Sequence, residues 1–102
     1  MNDEVRNTIL SQFAAIALAK EIIEAHLAGK RATVPHRYAI SDFGQELGPN
    51  YGIFIEVGDG RSMHYLNYDD PEATDAATAK PAMSYIDCEP IDPELDWIEV
   101  AH

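Results

Sequence analysis

Residues 51–68 constrain the fold more than any other stretch. "YGIFIEV" alternates apolar positions with a period of two, "GDG" interrupts it, and "RSMHYLNY" resumes the pattern. Two such runs around a Gly/Asp turn define a β-hairpin, because successive strand residues point to opposite faces. Asp59 and Gly60 both tolerate positive φ, as a tight turn between twisted strands requires. Tyr51, Ile53, Ile55 and Val57 share the face with more apolar area, the expected core side. Gly52, Phe54 and Glu56 take the other.

A hairpin needs a covering layer, and residues 3–28 supply one. They contain no Gly or Pro, are rich in alanine, and end at Gly29, with Asn2 or Asp3 as N-cap. At about 100° per residue, Val5, Ile9, Phe13, Ile16, Ile23 and Leu27 form one apolar stripe, the expected sheet-facing side. Lys20 interrupts it. Leu18 and Ile22 lie opposite, beside small residues Ser11, Ala15 and Ala25. That second patch predicts a further covering layer or a dimer contact through Leu18 and Ile22.

The remaining segments complete a sheet. Residues 37–40 read as a short edge strand, and "SDFGQELG" as a helical turn capped by Ser41. "DDPEATDAATAKP" opens like a weak helix, with Asp70 as cap and Pro71 as first residue. Residues 83–89 and 96–101 read as strands joined by a Pro-containing turn. The expectation is one α+β domain over 1–102: a long N-terminal helix packed on a mainly antiparallel sheet of about four strands, with a central hairpin.

Charge is the second constraint. The 102 residues carry 18 acids against 7 bases, a net charge of −11. Residues 1–58 hold seven acids and five bases, and residues 59–102 eleven acids and two bases, so the split is −2 against −9. Such a chain repels nucleic acid and anionic lipid and attracts basic surfaces. Acidic excess also serves solubility, and charge on an edge strand discourages aggregation.

Alternation places Ile86 and Cys88 on one side of their strand and Asp87 and Glu89 on the other. Ile98 and Val100 turn inward, while Trp97 and Glu99 share the outer face with Tyr85. Duplex DNA carries a phosphate every roughly 3.4 Å of axis per strand, so a row of carboxylates suits a groove built for it. The expected partner-binding residues are Asp69, Asp70, Glu72, Asp87, Glu89, Asp92, Glu94, Asp96, Trp97 and Glu99, and the expected partner is a basic protein such as a nuclease or nucleic-acid-binding complex. In kind, the chain resembles the small acidic proteins that phages make against host defence, anti-CRISPRs among them, and acidic immunity proteins. That resemblance implies a class of partner and no particular site.

Catalysis finds little support. Cys88 and His64 are the only thiol–imidazole candidates, and nothing in their spacing joins them. Cys88 falls on the apolar side of its strand, where a free cysteine acts as a small hydrophobe. Asp69, Asp70, Glu72 and Asp75 lack the spacing of a calcium loop, and the four histidines show no zinc pattern. "GDGRS" leads into a strand, the wrong context for a phosphate loop. The expectation is a non-enzyme with no cofactor and no metal. One cysteine allows no internal disulfide, the N-terminus lacks a basic leader, and the longest apolar run, residues 13–19, is too short to span a bilayer. These features predict a cytoplasmic protein. The alternative function is a homo-oligomeric structural or accessory protein assembled through the helix.

Overall fold

The computed structural model describes residues 9–44, 50–69 and 82–99. Among the described residues, one helix, α1 (Gln12–Leu27), precedes four strands: β1 (Tyr38–Gly44), β2 (Asn50–Glu56), β3 (Ser62–Asp69) and β4 (Ala82–Pro90). The strands pair antiparallel in chain order, β1-β2-β3-β4. The fold is therefore α+β, a helix on an antiparallel sheet.

The helix is 16 residues long and starts at Gln12, later than the composition suggests. Ser11 is the N-cap, its hydroxyl accepting from the Ala14 N–H at 3.1 Å. Leu10 is held to the hairpin by its N–H, which donates to the Val57 carbonyl at 2.7 Å, so it lies outside the helix. The C-terminus closes as expected. Gly29 takes φ +73°, the Lys30 N–H donates to the Ala25 carbonyl, and the Gly29 N–H donates to that of His26. These two bonds make a Schellman motif.

The helix face is a correction. Ala15, Ala19, Ile22 and Ile23 are the buried helix residues, whereas Phe13 is 86% exposed and Ile9 and Leu27 are also exposed. The sheet-facing arc lies roughly a quarter turn from the large-residue stripe. Alanine explains the shift: Ala15 and Ala19 have no exposed area, so the backbone of α1 seats close to the sheet. Ile22 belongs to the main core and Leu18 packs against it. Ile22 of the patch assigned to a dimer contact is thus covered by the chain's own sheet, whereas Leu18 is only half-buried. Val5 lies outside the described residues.

The hairpin pairs as expected, with Ile53 opposite Leu66 and Ile55 opposite His64. Its turn differs. Positive φ falls on Gly58 and Gly60, not on Asp59. The Asp59 carboxylate instead accepts the N–H groups of Arg61 and Ser62, both at 2.7 Å, and the Ser62 hydroxyl. Those donors hold its pKa below the ordinary carboxylate value, the Arg61 N–H most strongly.

Both sheet faces carry a packed layer, the far one only over part of its area. On the helix side, Tyr51, Ile53, Ile55, Leu66 and Tyr68 meet α1 together with Leu10, Val34 and Tyr38. On the far side, Ala39, Phe54 and Met63 form a second core, packed by Tyr65, Ile91, Leu95 and Trp97. The chain beyond β4 makes that second layer. It leaves β4 where the Ile91 N–H meets the Arg61 carbonyl at 2.9 Å. It then crosses the sheet and ends beside β1, where Ile98 and Tyr38 exchange hydrogen bonds at 2.7 and 3.1 Å. This crossing replaces the strand expected at 96–101: within its described part, only Ile98 makes a bridge.

Two other expectations change. Residues 41–44 continue β1 rather than turning into a helix, and Ser41 pairs with Gly52. The segment expected as a weak helix after Asp69 lies outside the described residues. Among the described residues, no helix is long and apolar enough to cross a membrane.

Candidate partner-binding face

A one-residue register shift between Tyr65 and Leu66 sets the chemistry of β4. Asp87 pairs with Tyr65 and Tyr85 with Leu66, which leaves Ile86 as the extra residue of a bulge. Tyr85, expected on the outer face, is thereby turned to the helix side. Ile86, expected inward, is exposed. Cys88 pairs with His64 but is also exposed, so it is not the small core hydrophobe its alternation suggested.

His64 ties the helix side together and is buried. Its Nε2 lies 2.6 Å from the Leu10 carbonyl and its Nδ1 lies 2.8 Å from the Tyr85 hydroxyl. A carbonyl only accepts, so Nε2 carries the proton; in the neutral ring Nδ1 then accepts from Tyr85. Burial raises the Tyr85 pKa above the ordinary phenol value, and the nearby Cys88 and Asp87 add to it. Both ring nitrogens are occupied structurally, which leaves neither to act as a base toward Cys88. Among the described residues, no group of three or more His, Cys, Asp or Glu is arranged to hold a metal.

Beyond the bulge, Asp87 and Glu89 stand on the far side of the sheet, opposite Tyr65 and Met63. Asp92, Glu94 and Asp96 are exposed on the crossing segment. Local bonds fix that segment. The Asp92 carboxylate accepts the Glu94 N–H at 2.9 Å, and the Trp97 indole N–H donates to the Asp92 carbonyl at 2.8 Å. Among the described residues, no Lys or Arg lies within 4.0 Å of these five carboxylates. Asp87 and Glu89 are held by the ladder, and Asp92, Glu94 and Asp96 by the crossing segment that continues from it.

Not every expected residue joins this set. Glu99 faces the Arg37 guanidinium at 3.7 Å, and its carbonyl accepts from Arg31 at 2.7 Å. Its charge is therefore partnered. Trp97 is half-buried in the second core under Arg37, whose guanidinium carbon is 5.0 Å from the indole centroid. It serves the fold rather than an outer surface. Asp69 ends β3 four residues from Tyr65, roughly 13 Å along the strand from the Asp87 row. Asp70 and Glu72 lie outside the described residues.

Arg37 is the hub that sequence reasoning missed. It also donates from Nε to both Glu56 oxygens, at 3.2 and 3.3 Å. Its neighbour His36 has a pKa below the ordinary imidazole value of 6.5, chiefly through burial, which the Glu56 charge opposes. The unfolded chain thus takes up this proton at higher pH than the folded one. The contribution of His36 is present above about pH 6.5 and is lost progressively as the pH falls from there through the lower folded-state value. His36→Gln is expected to flatten the decline in melting temperature between about pH 7 and pH 5.5. Thermal scans across that range check this, and an unchanged slope contradicts it.

Compared with family models, curated proteins and solved structures, the chain matches none.

Proposed function

We propose that this is a non-catalytic acidic binding protein whose anionic face occupies a basic, nucleic-acid-binding surface of a partner protein, in the manner of inhibitors aimed at nucleases or defence complexes. One observation carries this reading. Asp87, Glu89, Asp92, Glu94 and Asp96 share a fixed backbone with no described cation within 4.0 Å. Like charges held together repel, and a basic partner relieves that repulsion as it docks. Long-range attraction also speeds encounter and makes it salt-sensitive.

The test separates position from total charge. Asp87→Lys with Glu89→Lys reverses two charges on the face, and Glu21→Lys with Glu24→Lys reverses two on exposed turns of α1. Both pairs raise the net charge by the same amount. A set of nucleases and nucleoid proteins is loaded with fluorescent duplex DNA, and displacement of the duplex is followed by anisotropy at low and high salt. The wild-type protein is expected to displace DNA at low salt. The face variant should lose about tenfold or more, roughly 1.4 kcal/mol, and the helix variant much less. Equal losses, or no displacement by the wild type, overturn the proposal.

A further inference from the structure

We infer that Tyr65, with Asp87 beside it, is a receiving ledge for an arginine side chain of the basic partner. The inference rests on the reading above and adds a specific anchor to it. Three rings gather on the far side of the sheet. Phe54 stacks on Tyr65 with centroids 4.8 Å apart and planes 13° apart, and Phe43 meets Tyr65 edge-on at 6.3 Å. Gly52 permits the approach of Phe43: a Cβ there would collide with the Phe43 ring tip.

Phe54 covers one face of Tyr65. The other faces away from Phe54 and β2, and Asp87 is the register partner of Tyr65 on β4. Asp87 spends one oxygen on the Cys88 N–H at 2.8 Å, and the second faces no described cation. Tyr65 is only partly buried and Phe43 is 49% exposed, so the ledge is open.

The molecule already shows what this combination holds. Arg37 lies over the Trp97 ring at 5.0 Å with the Glu56 and Glu99 carboxylates at 3.2 and 3.7 Å. Tyr65 and Asp87 repeat the ring and the carboxylate without the cation. A guanidinium is flat, weakly hydrated and stacks on a ring while its edge bonds a carboxylate; a lysine ammonium is a compact, strongly hydrated charge. The ledge therefore discriminates between two equally charged partners.

An arginine homopeptide and a lysine homopeptide of equal length test this by NMR titration of the intact protein. Arginine is expected to bind about two- to fivefold more tightly, with amide shifts centred on Tyr65 and Asp87. Tyr65→Thr should remove the preference and leave the charge-driven binding common to both peptides. Should Tyr65→Thr prove unfolded by circular dichroism, Asp87→Asn replaces it, with the arginine preference expected to shrink. Equal affinities in the wild type, or a preference undiminished in the folded variant, overturn the ledge and leave the acidic face standing. Failure of both peptides to bind overturns both.

Discussion

Leu66→Ala is expected to lower the unfolding free energy by about 3 kcal/mol, within the range for leucine truncation in a packed core. Leu66 has no exposed area and sits between Ile53 on β2 and Tyr85 on β4, with α1 above. Its neighbours are held by ladder hydrogen bonds on both sides, so they have little freedom to collapse into the space left. For a domain of this size the melting temperature should drop by on the order of 10–20 °C. Ile86→Ala is the control. That residue is 50% exposed at the bulge, and truncation there should stay within about 0.5 kcal/mol. Urea titrations of the three proteins give both values. A cost below about 1 kcal/mol at Leu66 would place the main core elsewhere.

The second large effect concerns the seat of the helix. Ala19→Leu adds a side chain where none of the alanine surface is exposed, directly between α1 and the sheet. Leucine is nearly as good a helix former as alanine, so propensity contributes little. The expected cost of about 1–3 kcal/mol comes from forcing the helix off the sheet. Phe13→Ser, at a side chain 86% exposed, should change stability by no more than about 0.5 kcal/mol. The hydrophobic stripe predicts the opposite ranking. Denaturation of both variants decides it, and a larger loss at Phe13 than at Ala19 means that the helix presents the other face.

That contrast shows where sequence pattern works and where it stops. Strand alternation in 51–57 places Ile53 and Ile55 correctly because period two is imposed by the backbone itself. Gly29 marks the helix end for a similar reason, since positive φ favours glycine locally. The helix face is harder. Weighting by size favours Phe13 and Leu27, whereas close packing rewards Ala15 and Ala19, and only the sheet decides between them. Ser41 to Gly44 look like a turn, yet the backbone of β2 offers them ladder bonds that no local propensity reveals.

The acidic face was legible in part. Asp87 and Glu89 share a side, as alternation requires, and Asp92, Glu94 and Asp96 stay exposed. The partner of Glu99 was not legible, because Arg37 is distant in sequence and meets it only after the chain has crossed the sheet. Ile91, Leu95 and Trp97, spaced among acids, were a usable hint of that crossing. Their apolar side chains needed a surface, and the far side of the hairpin was the one available.

The extra residue at Ile86 has a consequence for how this gene tolerates drift in length. Loss of that single codon would set Asp87 directly after Tyr85 and leave an unbulged ladder in which Tyr85, Asp87, Cys88 and Glu89 keep the partners and faces they already have. Loss of a codon among residues 92–96 would merely tighten a span between two anchored ends. Ile86 is thus a position where the strand has a residue to spare, and where one fewer would leave the pairing on both sides intact.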